Sequence, residues 1–186
     1  MKIALITKKG GAGKSTIAIL LHEAIRKSGQ NVAVRDFDAQ GSATKILSRI
    51  GGQREEPGRR YDVVLIDTAP ALSAFSAASA SEADLILVPC SPSPVDIWEA
   101  DESARFARSK NPKAPIRIVL NKLRAGTLLT GMAPESLQGV SEPVLPSTLS
   151  ERQAYQHALL DGWSALDGRA RSEVLQFTVA VTSIRY

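Results

Sequence analysis

Lys2-Ile3-Ala4-Leu5-Ile6-Thr7, followed at once by Lys8-Lys9-Gly10-Gly11-Ala12-Gly13-Lys14-Ser15-Thr16, is the stretch that decides the fold. The first six residues form an apolar run of strand length. Just beyond the glycines, Ile17, Leu20, Leu21, Ala24 and Ile25 recur at helical spacing, and the pattern stops at Gly29. A glycine-rich turn between a strand and a helix lets successive backbone N–H groups curl inward, making a nest for phosphate oxygens. The positive end of the helix points into the same nest. Gly10, Gly11, Ala12 and Gly13 supply the curl, Lys14 reaches the β- and γ-phosphates, and Ser15 offers a hydroxyl to Mg²⁺. Thr16 completes the phosphate-binding run.

Outward from this turn, apolar runs of strand length alternate with helical patterns. Asn31–Phe37, Asp62–Asp67, Asp84–Pro89 and Ile116–Asn121 read as four further strands. They are nearly continuous in apolar residues, as strands covered by helices on both faces are. The expectation is an α/β fold, a doubly wound parallel sheet flanked by helices, in a single domain over residues 1–186. Ser93-Pro94 reads as an N-cap and first-turn proline opening a helix to about Ser109. Ser150 with Gln153 has the spacing of a capping box. The tail from Gly168 begins like a helix and ends rich in β-branched residues.

Composition is that of a globular chain: 186 residues, 44% hydrophobic and 23% charged, enough to bury a core unaided. A lone cysteine, Cys90, can neither close an internal disulfide nor hold a metal cluster, which fits a reducing cytoplasm. The first apolar run is too short for a signal peptide, and no later run reaches spanning length, so no stable membrane insertion is expected. A net charge of +4 permits contact with nucleic acid or anionic lipid without requiring it.

Three carboxylates stand at strand ends. Asp36 and Asp38, two apart, fall on one side of the chain beyond the carboxyl edge of the sheet, where ligands bind in such folds. They serve either the chemistry or the capping of the next helix. Asp67 closes Val63-Val64-Leu65-Ile66 and has the Walker B arrangement, an acid that holds Mg²⁺ usually through water. The ordinary phosphate-loop pattern asks for glycine where this chain has Lys8, so the strict motif fails there while Gly13-Lys14-Ser15 is intact.

With Lys9 before Gly10-Gly11, the run K-G-G-A-G-K-S resembles the deviant Walker A box of the ParA/MinD family of ATPases. Asp36–Thr44 (D-F-D-A-Q-G-S-A-T) is similar to that family's second box, and Ala83–Trp98 to the strand and loop of small plasmid-type partition ATPases. The resemblance implies ATP and Mg²⁺ as cofactors, with Ser15, Asp36 and Asp67 around the metal. It implies that Asp38 orients or activates the attacking water, that Asn121 contacts adenine, and that Lys9 reaches across a dimer interface to the partner's nucleotide. A second cation at the transferring phosphoryl group would stabilise charge as an arginine finger does. Val144-Leu145-Pro146 and the residues from Glu151 look like the family's last strand and following helix.

The implied function is a partition ATPase. ATP closes a homodimer that binds DNA non-specifically, and hydrolysis, stimulated by a ParB-like partner, resets it. Localisation would then be cytoplasmic, on the nucleoid when ATP is bound. Candidate DNA-contacting cations are Arg105, Arg108, Lys110, Lys113, Arg152, Arg169 and Arg171. A MinD-like membrane-cycling ATPase is disfavoured because Val174–Tyr186 lacks a basic–apolar division. A nitrogenase-type reductase needs more cysteines than Cys90, and no motif marks the substrate pocket of a ligase. Departures from the family pattern are Ala39 in place of a proline, Arg35 within a strand, and only 28 residues between Asp38 and Asp67, which puts one sheet edge in doubt.

Overall fold

Five of the apolar runs become strands in the computed structural model, which describes residues 1–184. They are β1 (Lys2–Leu5), β2 (Val32–Asp36), β3 (Val63–Asp67), β4 (Leu85–Cys90) and β5 (Ile116–Leu120). All pairs are parallel, in the order β2-β3-β1-β4-β5. The helices are α1 (Lys14–Lys27), α2 (Ser42–Ile50), α3 (Ala74–Glu82), α4 (Pro94–Lys110), α5 (Leu128–Ser136), α6 (Gln153–Asp161) and α7 (Gly168–Thr182). Alternation along β1 divides the core: Ile3 and Leu5 pack with α1, α2, α6 and α7, while Ala4 and Ile6 pack with α3, α4 and α5. The doubly wound parallel sheet is the one expected.

The sheet edge at β2 is minimal. Val34 donates to the Gln53 carbonyl at 3.0 Å and accepts from the Glu55 N–H at 3.0 Å, a single bridge where a longer insertion would add a strand. Edge position also explains Arg35: it is half-buried and held by ion pairs to Glu55 and Glu82. At the opposite edge the expected last strand shrinks to one bridge, Val144 against Ile118. Pro143 and Pro146 flank it, and neither has an N–H to extend the ladder.

One local expectation is corrected and one is completed. Ser150 caps no helix: α6 starts at Gln153 with Arg152 as its N-cap residue, and Ser150 pairs with Leu123 while its N–H donates to the Glu173 carboxylate. A long-range acid takes the donor that the capping reading kept local. The tail, for its part, stays helical to Thr182, because Ala170, Val174, Phe177, Thr178 and Val181 recur at helical spacing and are buried. The Thr178 and Thr182 hydroxyls donate to carbonyls four residues back, at 2.7 and 2.9 Å, so they do not open the helix. The last two residues of the tail reading, 185 and 186, lie outside the described residues. Among those described, no helix is long and apolar enough to cross a membrane.

Candidate nucleotide-binding site

The strand order reverses at β1: α1 leads from it towards β2, while the β3-to-β4 connection crosses to its other side. Such a switch point opens a crevice at the carboxyl ends of the strands. The loop from Lys8 to Gly13 lies there. Gly11 and Gly13 take left-handed backbones, at φ 76° and 97°, and Gly13 opens α1 without any side-chain cap. The N–H groups of the first helical turn are therefore left for an anion. A side chain at Gly13 is excluded twice over, since a Cβ there would lie 2.2 Å from Asn121 Nδ2 as well as in a left-handed backbone.

The cleft beside this loop, about 470 Å³, is lined by Gly11, Gly13, Lys14, Ser15, Thr16 and Asp38 with residues of α2 and α6. Lys14 is buried at its floor, its ammonium 3.5 Å from the Thr7 carbonyl oxygen. Burial lowers its pKa, with Asp67 and Asp38 pulling the other way. Asp67 is fully buried, and neither carboxylate oxygen has a hydrogen-bond partner in the protein. Desolvation pushes it up to about 6; the nearby Ser15 hydroxyl opposes that shift and Asp36 adds to it. Asp36 is its register partner across β2 and β3, which places the two acids side by side.

The two carboxylates of the second strand differ. Asp36 accepts from the Asp38 N–H at 2.9 Å and the Thr44 N–H at 2.8 Å, so it braces the turn into α2. Asp38 accepts from the Gln40 N–H at 2.9 Å and lines the cleft. Among the described residues no three acidic, histidine or cysteine side chains converge into a metal cluster. An orphaned buried acid beside a helix-start hydroxyl instead suits Mg²⁺, which keeps most of its waters and takes few protein ligands.

Lys9 turns away from this cleft. Its ammonium pairs with Asp96 and, at 3.8 Å, with Glu99, both on α4, and the Asp96 contact keeps it firmly protonated. Asp96 and Glu99 carry no sequence signal that links them to the loop. Lys8 pairs likewise with Glu102. Asn121 is buried and donates through Nδ2 to the Ala12 carbonyl at 3.0 Å, so its first contact is with the loop itself. A second cleft, about 220 Å³, joins Gly13, Thr16, Asn121 and Lys122 to Ser150–Gln153, Tyr155 and Gln156. Its far wall is held by Glu173 of α7, which pairs with Arg152 at 2.6 Å, and by the Arg124–Glu151 ion pair. The sequence marks neither pair, because nothing local signals partners separated by twenty or more residues, and Arg152 stands only among the cations considered for DNA.

The family model for the CobQ/CobB/MinD/ParA nucleotide binding domain matches residues 3–163, a span that includes the glycine loop and both clefts. The chain belongs to this family. Maintenance of carboxysome distribution protein A of Halothiobacillus neapolitanus is 27% identical over 194 residues, 91% of this chain and 89% of that protein. Among solved structures, the Cyanothece McdA(D38A)–ATP complex superposes with a TM-score of 0.80 at 16% identity, over 100% of this chain and 97% of that one. A plasmid partition protein of Borrelia burgdorferi B31 bound to AMPPNP superposes at 0.77 and 17%, over 97% of each chain. As a family member the chain carries a nucleotide-binding domain; Lys14 and Ser15 line the larger cleft with Asp67 close to both, and Asn121 lines the smaller one.

The cations considered for DNA do not fare alike. Arg108 grips Glu142 through two bonds of 2.7 and 2.9 Å, Arg105 pairs with Asp101, and Arg152 with Glu173. These three have acidic partners within the protein, and the Arg105 side chain stays largely exposed. Lys110, Lys113, Arg169 and Arg171 form no ion pair among the described residues; Lys110 ends α4 and Lys113 follows in the loop beyond it.

Proposed function

We propose that this protein is an ATPase of the ParA type. It binds ATP with Mg²⁺, closes face to face with a second copy, holds DNA non-specifically in that state, and is reset by hydrolysis that a partner protein stimulates. The single observation that carries the reading is the pairing of an uncapped helix start, left-handed Gly11 and Gly13 included, with the orphaned Asp67 beneath it. That combination is built for a triphosphate and a hard cation. The metal would neutralise charge on the β- and γ-oxygens, held by Ser15 directly and by Asp67 through water.

The remaining roles fall to the protein's own groups. Lys14 sits at the cleft floor to meet the β- and γ-phosphates, and Asp38 at its rim to orient the attacking water. Asp36 supports the metal side by fixing the turn that carries Asp38. Lys9 is the residue for the partner's nucleotide, and it must leave Asp96 and Glu99 to reach it. Asn121 and the Ser150–Gln153 wall form the place for adenine. α7 turns Ala170, Val174, Phe177 and Val181 into the core and leaves only Leu175 and Val179 as large apolar residues exposed among those described, a narrow apolar face for a membrane surface. Relatives named for positioning carboxysomes and partitioning plasmids support a cargo-positioning role, with the cargo chosen by the partner.

The test is the size of the Asp38→Ala protein with ATP, with ADP and without nucleotide. The expected result is a dimer with ATP alone, and retention on DNA that weakens steeply as salt rises. A monomer in all three states sinks the dimer switch.

A further inference from the structure

Lys122 is the one non-glycine residue with a left-handed backbone among the described residues, at φ 60°. A residue with a Cβ adopts this region against steric cost and keeps it only where its surroundings impose it. Here they do. On one side the Asn121 N–H donates to the Cys90 carbonyl of β4 at 2.8 Å, and on the other the Leu123 N–H donates to the Leu149 carbonyl at 3.1 Å. Two ladders pin the chain on either side of Lys122. The strained residue lies between them, and its side chain returns over the phosphate loop.

The ammonium of Lys122 donates to the Gly11 carbonyl oxygen at 2.7 Å. The residue before it in sequence donates to the next carbonyl of the loop, Asn121 Nδ2 to Ala12 at 3.0 Å. A loop whose N–H groups turn inward must turn its carbonyls outward, and those carbonyls need donors. Asn121 and Lys122 supply two in succession, one neutral and buried, one charged and exposed. Glu151, an acid close enough to feel the Lys122 charge, is engaged by Arg124, and Lys122 stays on the loop. Lys122 also lines both clefts, so its stem stands between the phosphate end and the base end.

We propose that Lys122 is a positioning residue of the nucleotide site: it clamps the Gly11 carbonyl and so holds the phosphate loop in its anion-binding shape before nucleotide arrives. The clamp itself is a property of the empty loop. Its consequence for ATP and ADP rests on the nucleotide reading above. Because the loop cradles phosphates common to both nucleotides, the effect on the two should be alike.

Lys122→Gly tests this, since it removes the cation and relieves the backbone strain together. The melting temperature of the nucleotide-free protein should hold or rise, while amide hydrogen exchange from Gly10 to Lys14 becomes about tenfold faster. ATP and ADP should each bind about tenfold more weakly, the scale of one lost charge-assisted hydrogen bond. Lys122→Arg should restore most of both effects, and Lys122→Asn, which tolerates the left-handed backbone, should reproduce the loss if the glycine variant does not fold. Unchanged loop exchange in the nucleotide-free variants overturns the clamp. So does a loss of ATP binding alone, which would make Lys122 a γ-phosphate contact instead. If the wild-type protein binds neither nucleotide, the nucleotide reading falls, and the exchange result still decides the clamp.

Discussion

The two ends of the proposed nucleotide site are built on different principles. The phosphate end is local: nine consecutive residues, Lys8 to Thr16, form the loop and helix start, and strand ends bring the acids. The proposed base end is assembled from afar, with Asn121 and Lys122 after β5, Ser150–Arg152 before α6 and Gln153 at its start, fastened by Glu173 from α7 and by Arg124. Backbone conformation and a helix terminus suffice for phosphate, which presents charge and oxygens in all directions. A flat base needs a wall at a set distance, and only tertiary contacts provide one.

If this division is right, the severest damage should come where the two ends touch. Gly13→Ala places a Cβ against Asn121 Nδ2 in a left-handed backbone, and a loss of about 3 kcal/mol in urea unfolding is expected. Adding Asn121→Ala should return about 1 kcal/mol, read as coupling in a double-mutant cycle. Strict additivity would show that the loop and the strand-end asparagine are independent.

Next in size is the buried acid beneath the loop. Asp67 ionises near pH 6 in the folded chain against 3.8 ordinarily, so the folded state holds its proton more tightly than the unfolded one. The stability linked to that proton is present below pH 4 and lost as pH climbs through 6, at a cost of about 3 kcal/mol. Asp67→Asn should therefore stabilise the nucleotide-free protein by about 2 kcal/mol at pH 8, an advantage that fades towards pH 4 in parallel melts. Mg²⁺ with ATP should stabilise the wild type and much less the variant. An advantage that grows on acidification would refute the buried-charge account.

The smallest effect should fall on the base end alone. Glu173→Gln weakens the hold on Arg152 and Ser150, and ATP affinity should drop about fivefold, near 1 kcal/mol. Binding of inorganic pyrophosphate should not change. Equal losses for both ligands, measured by calorimetry, would erase the distinction between the two ends.

The contrast in construction is also a contrast in legibility. All five strands were readable as apolar runs, because a parallel sheet covered on both faces leaves no polar alternation to confuse them. Lys14, Ser15, Asp38 and Asp67 were readable because strand ends and the strand-to-helix turn place them at one edge. Ser150 misled, since its capping-box spacing with Gln153 competes with Glu173, an acid 23 residues away. The tail, helical in its first turns by sequence and β-branched at its end, is decided only by the structure, with its threonines satisfied within the helix and its apolar residues drawn to the core. The acidic partners of Arg105, Arg108 and Arg152 were not legible, because a charge in sequence does not show which acid lies beside it in space.

By itself, then, the sequence determined the alternation of strands and helices, the phosphate loop, and the acids that face it, all of which follow from local backbone chemistry and periodicity. Only the tertiary structure decided where the charges are held: Lys9 on Asp96 and Glu99, Lys122 on the Gly11 carbonyl, Glu173 on the base wall. The reason is physical. An ion pair depends on distance in space, and a chain folded over a doubly wound sheet brings together residues whose separation in sequence carries no information about it.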